Sequence, residues 1–144
     1  MEKFSAQVRP DIARDPEILD LMKDEGFIHV FIGFESINPR TLELYNKHQT
    51  LEDIEHSIAE IHKRSIFIHG MFVFGSDADD EETFVKTTRF AIRNRIETVQ
   101  FLILTPLPGT RQYEDFEAQG RMLNYDWARL KQRKGIFCLF QYQL

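Results

Sequence analysis

Cysteine is almost absent from this chain, since Cys138 is the single thiol in 144 residues. One thiol cannot close a disulfide within the chain, and it cannot supply a cysteine-based metal site. The five histidines include no pair spaced i, i+4 and no HExxH motif. We therefore expect no metal centre built from this chain alone. His69 lies inside an apolar run and is predicted to be a hydrogen-bonded core histidine.

Motifs of several enzyme classes are missing as well. The sequence contains no GxSxG nucleophile elbow, no GxxxxGK[ST] phosphate loop and no GxGxxG dinucleotide fingerprint. A net charge of −5 without an evident basic face argues against a nucleic-acid partner. No secretory segment opens the chain, and no apolar run approaches the roughly 20 residues that span a membrane. These absences predict a cytoplasmic protein without a membrane partner.

The chain does contain a repeated pattern in which an apolar run ends at a polar turn that opens a helix. Strands are predicted at 3–8, 28–34, 66–74 and 98–104. Helix starts are predicted at Asp15, Asn38 and Thr50, and a helix end at Gly26. Strands that alternate with helices predict an α/β fold with a parallel sheet and about four βα units. Four parallel strands cannot close a barrel, so the pattern predicts part of a larger (β/α) barrel of the TIM-like type.

Two helical stripes predict the faces that pack on the sheet. The stripe of the helix after Thr50 consists of Leu51, Ile54, Ile58 and Ile61. The inward residues predicted for the helix after the acidic turn are Phe84, Thr88, Ala91 and Ile92. Both stripes are interpreted as core.

Glu35 is the sharpest candidate for a functional side chain. Ligands of parallel α/β folds bind at the carboxyl ends of the strands. Glu35 directly follows the apolar run Val30 to Phe34, so it lies at such an end. Burial of a carboxylate there costs free energy unless a partner is present. The alternative is that Glu35 faces solvent beside a helix that Ser36 or Asn38 caps. Both interpretations stay open.

The acidic turn at 77–80 follows the third predicted strand. Asp77, Asp79 and Asp80 could bind a hard cation, but the spacing is not that of an EF-hand. Capping of the next helix is favoured, because carboxylates stabilise a helix N-terminus. Gly75 either permits close approach of a ligand to the backbone or simply forms the turn.

The chain resembles the C-terminal part of the radical S-adenosylmethionine (radical SAM) domain, especially in proteins that carry an N-terminal cobalamin-binding domain. The resemblance covers residues 4–130. It rests on QVRPDIARDPEILDLM, VFIGFES, FVFGSDADD and QFLILTPLPGT, followed by YEDFEAQGR, in this order. It implies that residues 1–130 supply the last four units of a partial (β/α)6 barrel. Residues 131–144 depart from the family's continuation and form a divergent tail.

The resemblance also implies a binding role for individual residues. Glu35, with Ser36 beside it, corresponds to the polar residue that reaches the ribose or the amino-acid part of S-adenosylmethionine, and Arg9 faces the same site. The residues that correspond to the adenine side are Phe74, Gly75, Asp77, Leu104 and Thr105. The implied partners are a small-molecule substrate and the N-terminal half of the barrel.

One departure from the family limits what this chain can do alone. The CxxxCxxC motif that ligates a [4Fe–4S] cluster is absent, and so is the glycine-rich motif of the second barrel strand. Without three thiolates the chain cannot ligate the cluster. The cluster and cobalamin are therefore expected only in the full-length family. Two interpretations follow: an enzyme fragment that is inactive alone, or a non-catalytic α/β module that is either a stranded fragment or the partner in a split barrel.

Overall fold

The computed structural model describes residues 2–45, 47, 49–122 and 140–141. Five strands form one sheet in the order β1 (Phe4–Val8), β2 (Phe27–Glu35), β3 (Phe67–Phe74), β4 (Thr98–Ile103) and β5 (Phe140–Gln141). Strands β1 to β4 are parallel neighbours in sequence order, which confirms the predicted α/β fold with four parallel strands. The short β5 runs antiparallel to β4, and the sequence pattern does not predict this strand.

The connections between the parallel strands are helical. A 3-10 helix (Pro10–Arg14) and α1 (Pro16–Asp24) join β1 to β2, and α2 (Pro39–Leu44) and α3 (Leu51–Lys63) join β2 to β3. The helix α4 (Glu81–Arg93) joins β3 to β4, and α5 (Arg111–Ala118) follows β4. None of these helices within residues 2–122 is long and apolar enough to cross a membrane. The predicted boundary at 130 and residue Cys138 lie outside the described residues.

Local capping explains where the helices begin. The Asp15 carboxylate accepts a hydrogen bond from the backbone N–H of Ile18, and the Asn38 side chain accepts one from Arg40. Thr50 and Asp53 form a reciprocal capping box at α3. Each such cap contributes about 1 kcal/mol. The three predicted helix starts are confirmed because their signals act within four residues of the chain.

Side-chain alternation separates the two faces of the sheet. Val30, Ile32 and Phe34 of β2 are fully buried against the helices, together with Ile68 and Phe72 of β3. The other residues of these strands lie on what we call the open face, which carries Phe31, Gly33 and Glu35 of β2 and His69 and Met71 of β3. The polar side chains of these two strands therefore lie on the open face.

His69 belongs to the open face and is buried as predicted. Its Nδ1 lies 2.8 Å from the Thr98 hydroxyl, and its ring packs against Phe31 with 5.0 Å between centroids. The ring of His29 lies beside the same Phe31. Burial lowers the pKa of His29, and the neighbouring His69 lowers it further. This group therefore packs the amino-terminal half of the open face.

The helix faces agree with the predictions for α3 and differ for α4. Ile54, Ile58 and Ile61 are buried, and Leu51 packs against the same core. On α4 the buried residues are Thr83, Thr87, Phe90 and Ala91. Of the predicted inward residues, Ala91 is buried, but the prediction was wrong for Ile92, which is 53% exposed. Thr88 is half-buried, and Phe84 is 46% exposed although its ring packs against Phe101. The inward face is rotated because Thr87 can be buried when its hydroxyl donates to the Thr83 carbonyl oxygen.

Candidate functional site

The carboxyl ends of β1 and β2 enclose a polar cavity of about 380 Å³. Arg9 and Glu35, two of the predicted site residues, both line it. Its other polar lining residues include Gln7, Lys47, Gln49, Asp53 and His56. The fold therefore brings together the two charged residues for which the family resemblance implies one common site.

Glu35 lies at an irregularity in the pairing of β2 with β3. Gly33 pairs with Met71, but Glu35 pairs with Phe72, so β2 carries one extra residue at this point. Glu35 has a φ of 66°, in the left-handed region that residues other than glycine rarely adopt. Bulges are frequent beside active sites, where they redirect a side chain. Here the bulge brings the Glu35 side chain back over the open face.

The Glu35 carboxylate has defined neighbours on that face. Its side chain is 27% exposed, and Lys47 Nζ lies 3.5 Å from Oε1. A Cβ atom added at Gly33 would lie 2.7 Å from the same Oε1. Gln49 donates a hydrogen bond of 3.3 Å to the carbonyl oxygen of Phe34, next to Glu35. The arrangement presents a negatively charged acceptor beside a cation at the rim of the cavity.

Arg9 shares the cavity without contacting Glu35 in the ion pairs of the described residues. Its guanidinium lies 3.2 Å from Asp11, and its side chain is 86% exposed. Long exposed arginines change rotamer at small cost, so Arg9 can turn toward an anionic ligand group. Its position at the end of β1 is the one expected from the sequence.

Ser36 has a structural role in the loop after β2. It is buried, and its Oγ accepts a hydrogen bond of 3.0 Å from the backbone N–H of Asn38. Asn38 is the residue that caps α2, and its Nδ2 also donates to the carbonyl oxygen of Ala78 at 2.8 Å. The open question of which residue caps α2 is thereby answered in favour of Asn38.

The acidic turn after β3 is held by its own hydrogen bonds. The Asp79 carboxylate accepts from the backbone N–H groups of Gly75 and Ser76 at 2.9 and 3.0 Å. Asp80 caps α4 through a reciprocal capping box with Thr83, which confirms the capping prediction for this one carboxylate of the turn. Asp77 forms a two-pronged ion pair with Arg121, which lowers the pKa of Asp77. Each carboxylate of the turn therefore has a structural partner.

Four other predicted site residues line two other cavities. The ring of Phe74 packs against Phe84 and Phe101 on the helix side, and Gly75 lies beside it in an apolar cavity of about 430 Å³. Asp77 and Leu104 line a third cavity of about 510 Å³.

The ends of β3 and β4 are joined by backbone contacts. The Leu104 N–H donates to the Phe74 carbonyl oxygen at 2.7 Å. The Thr105 hydroxyl donates to the Ile103 carbonyl oxygen. The structure thus places Phe74, Gly75, Leu104 and Thr105 at one edge, but not in the cavity of Glu35.

Tyr45 is a residue of this edge that the sequence interpretation missed. Its buried hydroxyl has no hydrogen bond of acceptable geometry among the described residues. Burial raises the pKa of Tyr45, and the negative charges of Asp79, Glu35 and Asp77 raise it further, while the Ser76 hydroxyl acts in the opposite direction. Tyr45 therefore lies within electrostatic reach of both Glu35 and Asp77.

Three further residues beside Glu35 were also missed. Lys47 and Gln49 come from the segment between α2 and α3, whose path no local signal predicts. Gly33 did leave a signal, because a glycine inside a strand often marks a bulge or a close approach. That signal pointed directly at the bulge of β2.

Comparison with known proteins shows which family the chain belongs to. The sequence profile of the Radical SAM superfamily matches residues 4–91, more than half of the chain. The bacteriochlorophyllide d C-12(1)-methyltransferase of Chlorobaculum tepidum is 37% identical over 128 residues, which are 88% of this chain and 28% of that protein. The C-8(2)-methyltransferase of the same organism is 30% identical, over 98% of this chain and 33% of its own length. The chain thus spans about a third or less of these relatives.

The fold has a counterpart among solved structures. The radical S-adenosylmethionine methyltransferase TsrM from Kitasatospora setae, solved with cobalamin and a [4Fe–4S] cluster bound, matches with a TM-score of 0.71 and 22% identity. The match covers 81% of this chain and 23% of that chain. At this identity the likeness shows a shared fold. Together with the family match, it confirms the resemblance inferred from the sequence: this chain belongs to the Radical SAM superfamily.

Proposed function

We propose that this chain is the C-terminal part of a radical SAM barrel and that it contributes contacts to S-adenosylmethionine and to a small-molecule substrate. The observation that carries the proposal is the Glu35 carboxylate, held on the open face at the carboxyl end of β2. A carboxylate can accept charge-assisted hydrogen bonds from the two hydroxyls of a ribose. The cavity of about 380 Å³ beside it leaves room for that sugar.

The other predicted site residues contact different parts of S-adenosylmethionine in this proposal. Arg9 approaches the carboxylate in the amino-acid part of the ligand, on the same side as Glu35. The backbone of Phe74, Gly75, Leu104 and Thr105 approaches the adenine, as does Asp77; the ring of Phe74 stays on the helix side. Ser36 acts beside Glu35, by holding the loop that follows it.

The residues of this chain do not fit a [4Fe–4S] cluster. Three cysteine thiolates are needed, and the sequence contains one cysteine. Within the described part of the chain, no group of three or more His, Cys, Asp or Glu side chains could hold a metal ion. We therefore assign cluster and cobalamin binding to the missing part of the protein, and we infer that the chain alone is inactive in radical chemistry.

The reaction of the complete protein is proposed from its relatives. Both curated relatives named above are methyltransferases, and the chain matches a radical methyltransferase in fold. We therefore favour methyl transfer to a small molecule as the reaction class.

An NMR titration tests the proposed site. The 17.1 kDa chain is labelled with ¹⁵N and titrated with S-adenosylmethionine. We expect the largest shift changes at Gly33, Glu35 and Arg9, with smaller changes at Gly75 and Leu104. Shift changes confined to other surfaces would favour the non-catalytic α/β module instead.

A further inference from the structure

Gly33 and Glu35 form a unit within β2. The pairing of β2 with β3 changes register between these two residues, and Glu35 takes a left-handed backbone conformation with φ of 66°. That conformation costs free energy in any residue other than glycine, and it persists where its surroundings enforce it. Bulges between parallel strands are rare. The bulge therefore indicates that the Glu35 side chain has to point in one particular direction.

The space above Gly33 is filled by the Glu35 carboxylate. A Cβ atom at position 33 would lie 2.7 Å from Oε1 and 3.5 Å from Cδ of Glu35. The first distance is shorter than real Cβ contacts, so any other residue at position 33 would force the carboxylate to move. The backbone of Gly33 itself is not in the left-handed region, so its conformation does not require glycine. A side chain at position 33 would therefore act on the Glu35 carboxylate, which is the flexible end of its side chain and can move.

Lys47 is the second neighbour of the Glu35 carboxylate. Its Nζ lies 3.5 Å from the same oxygen that lies over Gly33. The carboxylate thus contacts a cation and also lies close over the bare backbone of position 33. This position faces the cavity that Arg9 and Gln7 also line.

We infer that Gly33 is a positioning residue that sets the Glu35 carboxylate for recognition of a vicinal diol, as on a ribose. The inference rests on the proposed function of Glu35 as a ligand contact. In a packing role, Gly33 would affect stability whether or not Glu35 is present. In the positioning role inferred here, Gly33 acts on the ligand only through Glu35. A substitution that adds a side chain at position 33 should then lower the affinity for the ligand only when Glu35 is present and the ligand carries the diol.

A double-mutant cycle tests this dependence. Gly33→Ala, Glu35→Ala and the double variant are titrated by NMR with S-adenosylmethionine, adenosine and 2′,3′-dideoxyadenosine. We expect Gly33→Ala to weaken the two diol ligands at least about 10-fold, which corresponds to about 1.4 kcal/mol. In the Glu35→Ala background, and for the dideoxy ligand, the same change should alter affinity less than about 2-fold, within the error of additivity.

Gly70→Ala is the matched control. Gly70 lies inside β3, where an added Cβ would meet Ile96 at 3.2 Å and Phe34 at 3.3 Å in the core. This variant should lower the melting temperature but leave the preference for the diol ligands unchanged. Loss of that preference in Gly70→Ala to the same extent as in Gly33→Ala would overturn the positioning role.

The position of the Glu35 carboxylate can also be tested without a ligand, so that the result does not depend on affinity. A crystal structure of Gly33→Ala should show the carboxylate displaced from position 33 and the contact with Lys47 lengthened; an unchanged carboxylate overturns the inference. If Gly33→Ala alone does not fold, the double variant with Glu35→Ala should fold, because the clashing carboxylate has been removed. Failure of the double variant to fold would assign Gly33 a packing role.

The outcomes separate the inference from the proposed function. If Glu35→Ala leaves the affinity for S-adenosylmethionine unchanged, the proposed function of Glu35 is wrong, and the inference falls with it. If Glu35→Ala weakens binding but Gly33→Ala does not, or if the two effects simply add, the proposed function stands and the role of Gly33 is wrong.

Discussion

The hydroxyl of Thr41 on α2 donates a hydrogen bond of 2.9 Å to the carboxylate of Asp79 in the turn after β3. Thr41 is fully buried, and the same carboxylate receives the N–H groups of Gly75 and Ser76. A second link runs from Asn38 to the carbonyl oxygen of Ala78. The loops after β2 and β3 are thereby joined at the edge that carries the candidate site.

Loss of the Asp79 carboxylate should destabilise the whole edge. Asp79→Ala removes three hydrogen bonds, one of them from a buried hydroxyl, and should lower the free energy of unfolding by about 2–3 kcal/mol. The melting temperature should fall by about 5–10 °C. The control is Asp77→Ala, which removes an exposed ion pair with Arg121 and should have a much smaller effect. Equal losses in the two variants would contradict the role of Asp79.

Glu97 should make folding sensitive to acid. Its carboxylate accepts a hydrogen bond of 2.8 Å from the Ile68 N–H and lies 3.3 Å from His62 Nε2. Burial raises the pKa of Glu97, but the hydrogen bonds from His62 and Ile68 outweigh it and lower the pKa below the usual 4.5. The stabilisation is therefore complete above pH 4.5 and is lost as the pH falls through the lower folded value.

The test compares Glu97→Gln with Glu43→Gln, an exposed residue of α2, in urea at several pH values. At pH 7 Glu97→Gln should lose about 1–2 kcal/mol of unfolding free energy. Below pH 4.5 the gap from wild type should narrow. A gap that stays constant down to pH 3 would show that the charge of Glu97 does not stabilise the fold.

The chain alone should not assemble an iron–sulfur cluster. Its single cysteine cannot replace the three thiolates of the family motif. After anaerobic reconstitution with iron and sulfide, the visible spectrum should lack stoichiometric cluster absorbance, and reduction with S-adenosylmethionine should yield no 5′-deoxyadenosine. Cluster absorbance at one equivalent per chain, with that product formed, would refute the prediction.

The free side of β1 should promote association. Within the described residues β1 pairs with β2 on one side and with no strand on the other, and Phe4 on it is 42% exposed. Unpaired edges readily pair with another chain, and edge lysines prevent this. Light scattering should therefore show concentration-dependent association that Ser5→Lys reduces. A strictly monomeric wild type would contradict the prediction, as would a Ser5→Lys variant that associates equally.

Features set by a few neighbouring residues could be predicted from the sequence. Asp15, Asn38 and Thr50 cap helices because the groups that they bind lie within three residues along the chain. The order of the parallel strands followed from the alternation of apolar runs and helix starts. The common site of Arg9 and Glu35 was implied by the family resemblance, and the two residues do end neighbouring parallel strands.

Features set by contacts between distant segments could not be predicted. The bulge at Glu35 depends on how β2 pairs with β3, and the position of Lys47 depends on the path between α2 and α3. The ring of Phe74 points to the helix side because Phe84 and Phe101 receive it there. The antiparallel β5 pairs with β4 across some 40 residues of sequence, without a local turn signal.

The central claim is that Glu35 contacts S-adenosylmethionine and contributes little to folding. Its carboxylate lies at a rim, while the buried residues of β2 account for the packing of that strand. The loss of charge-assisted hydrogen bonds to a ribose, worth roughly 1.5–3 kcal/mol, should weaken binding about 10- to 150-fold. The matched control is Glu117→Ala, which removes an equal charge from the exposed face of α5 and should leave binding unchanged.

The most direct measurement is calorimetric titration of S-adenosylmethionine into wild type, Glu35→Ala and Glu117→Ala, with thermal melting of the same samples. It is made on the complete barrel proposed above, to which this chain contributes the C-terminal part. The account predicts that Glu35→Ala loses affinity at least about 10-fold while its melting temperature stays close to that of wild type. A large fall in melting temperature with unchanged affinity would show that Glu35 is structural and would contradict the account.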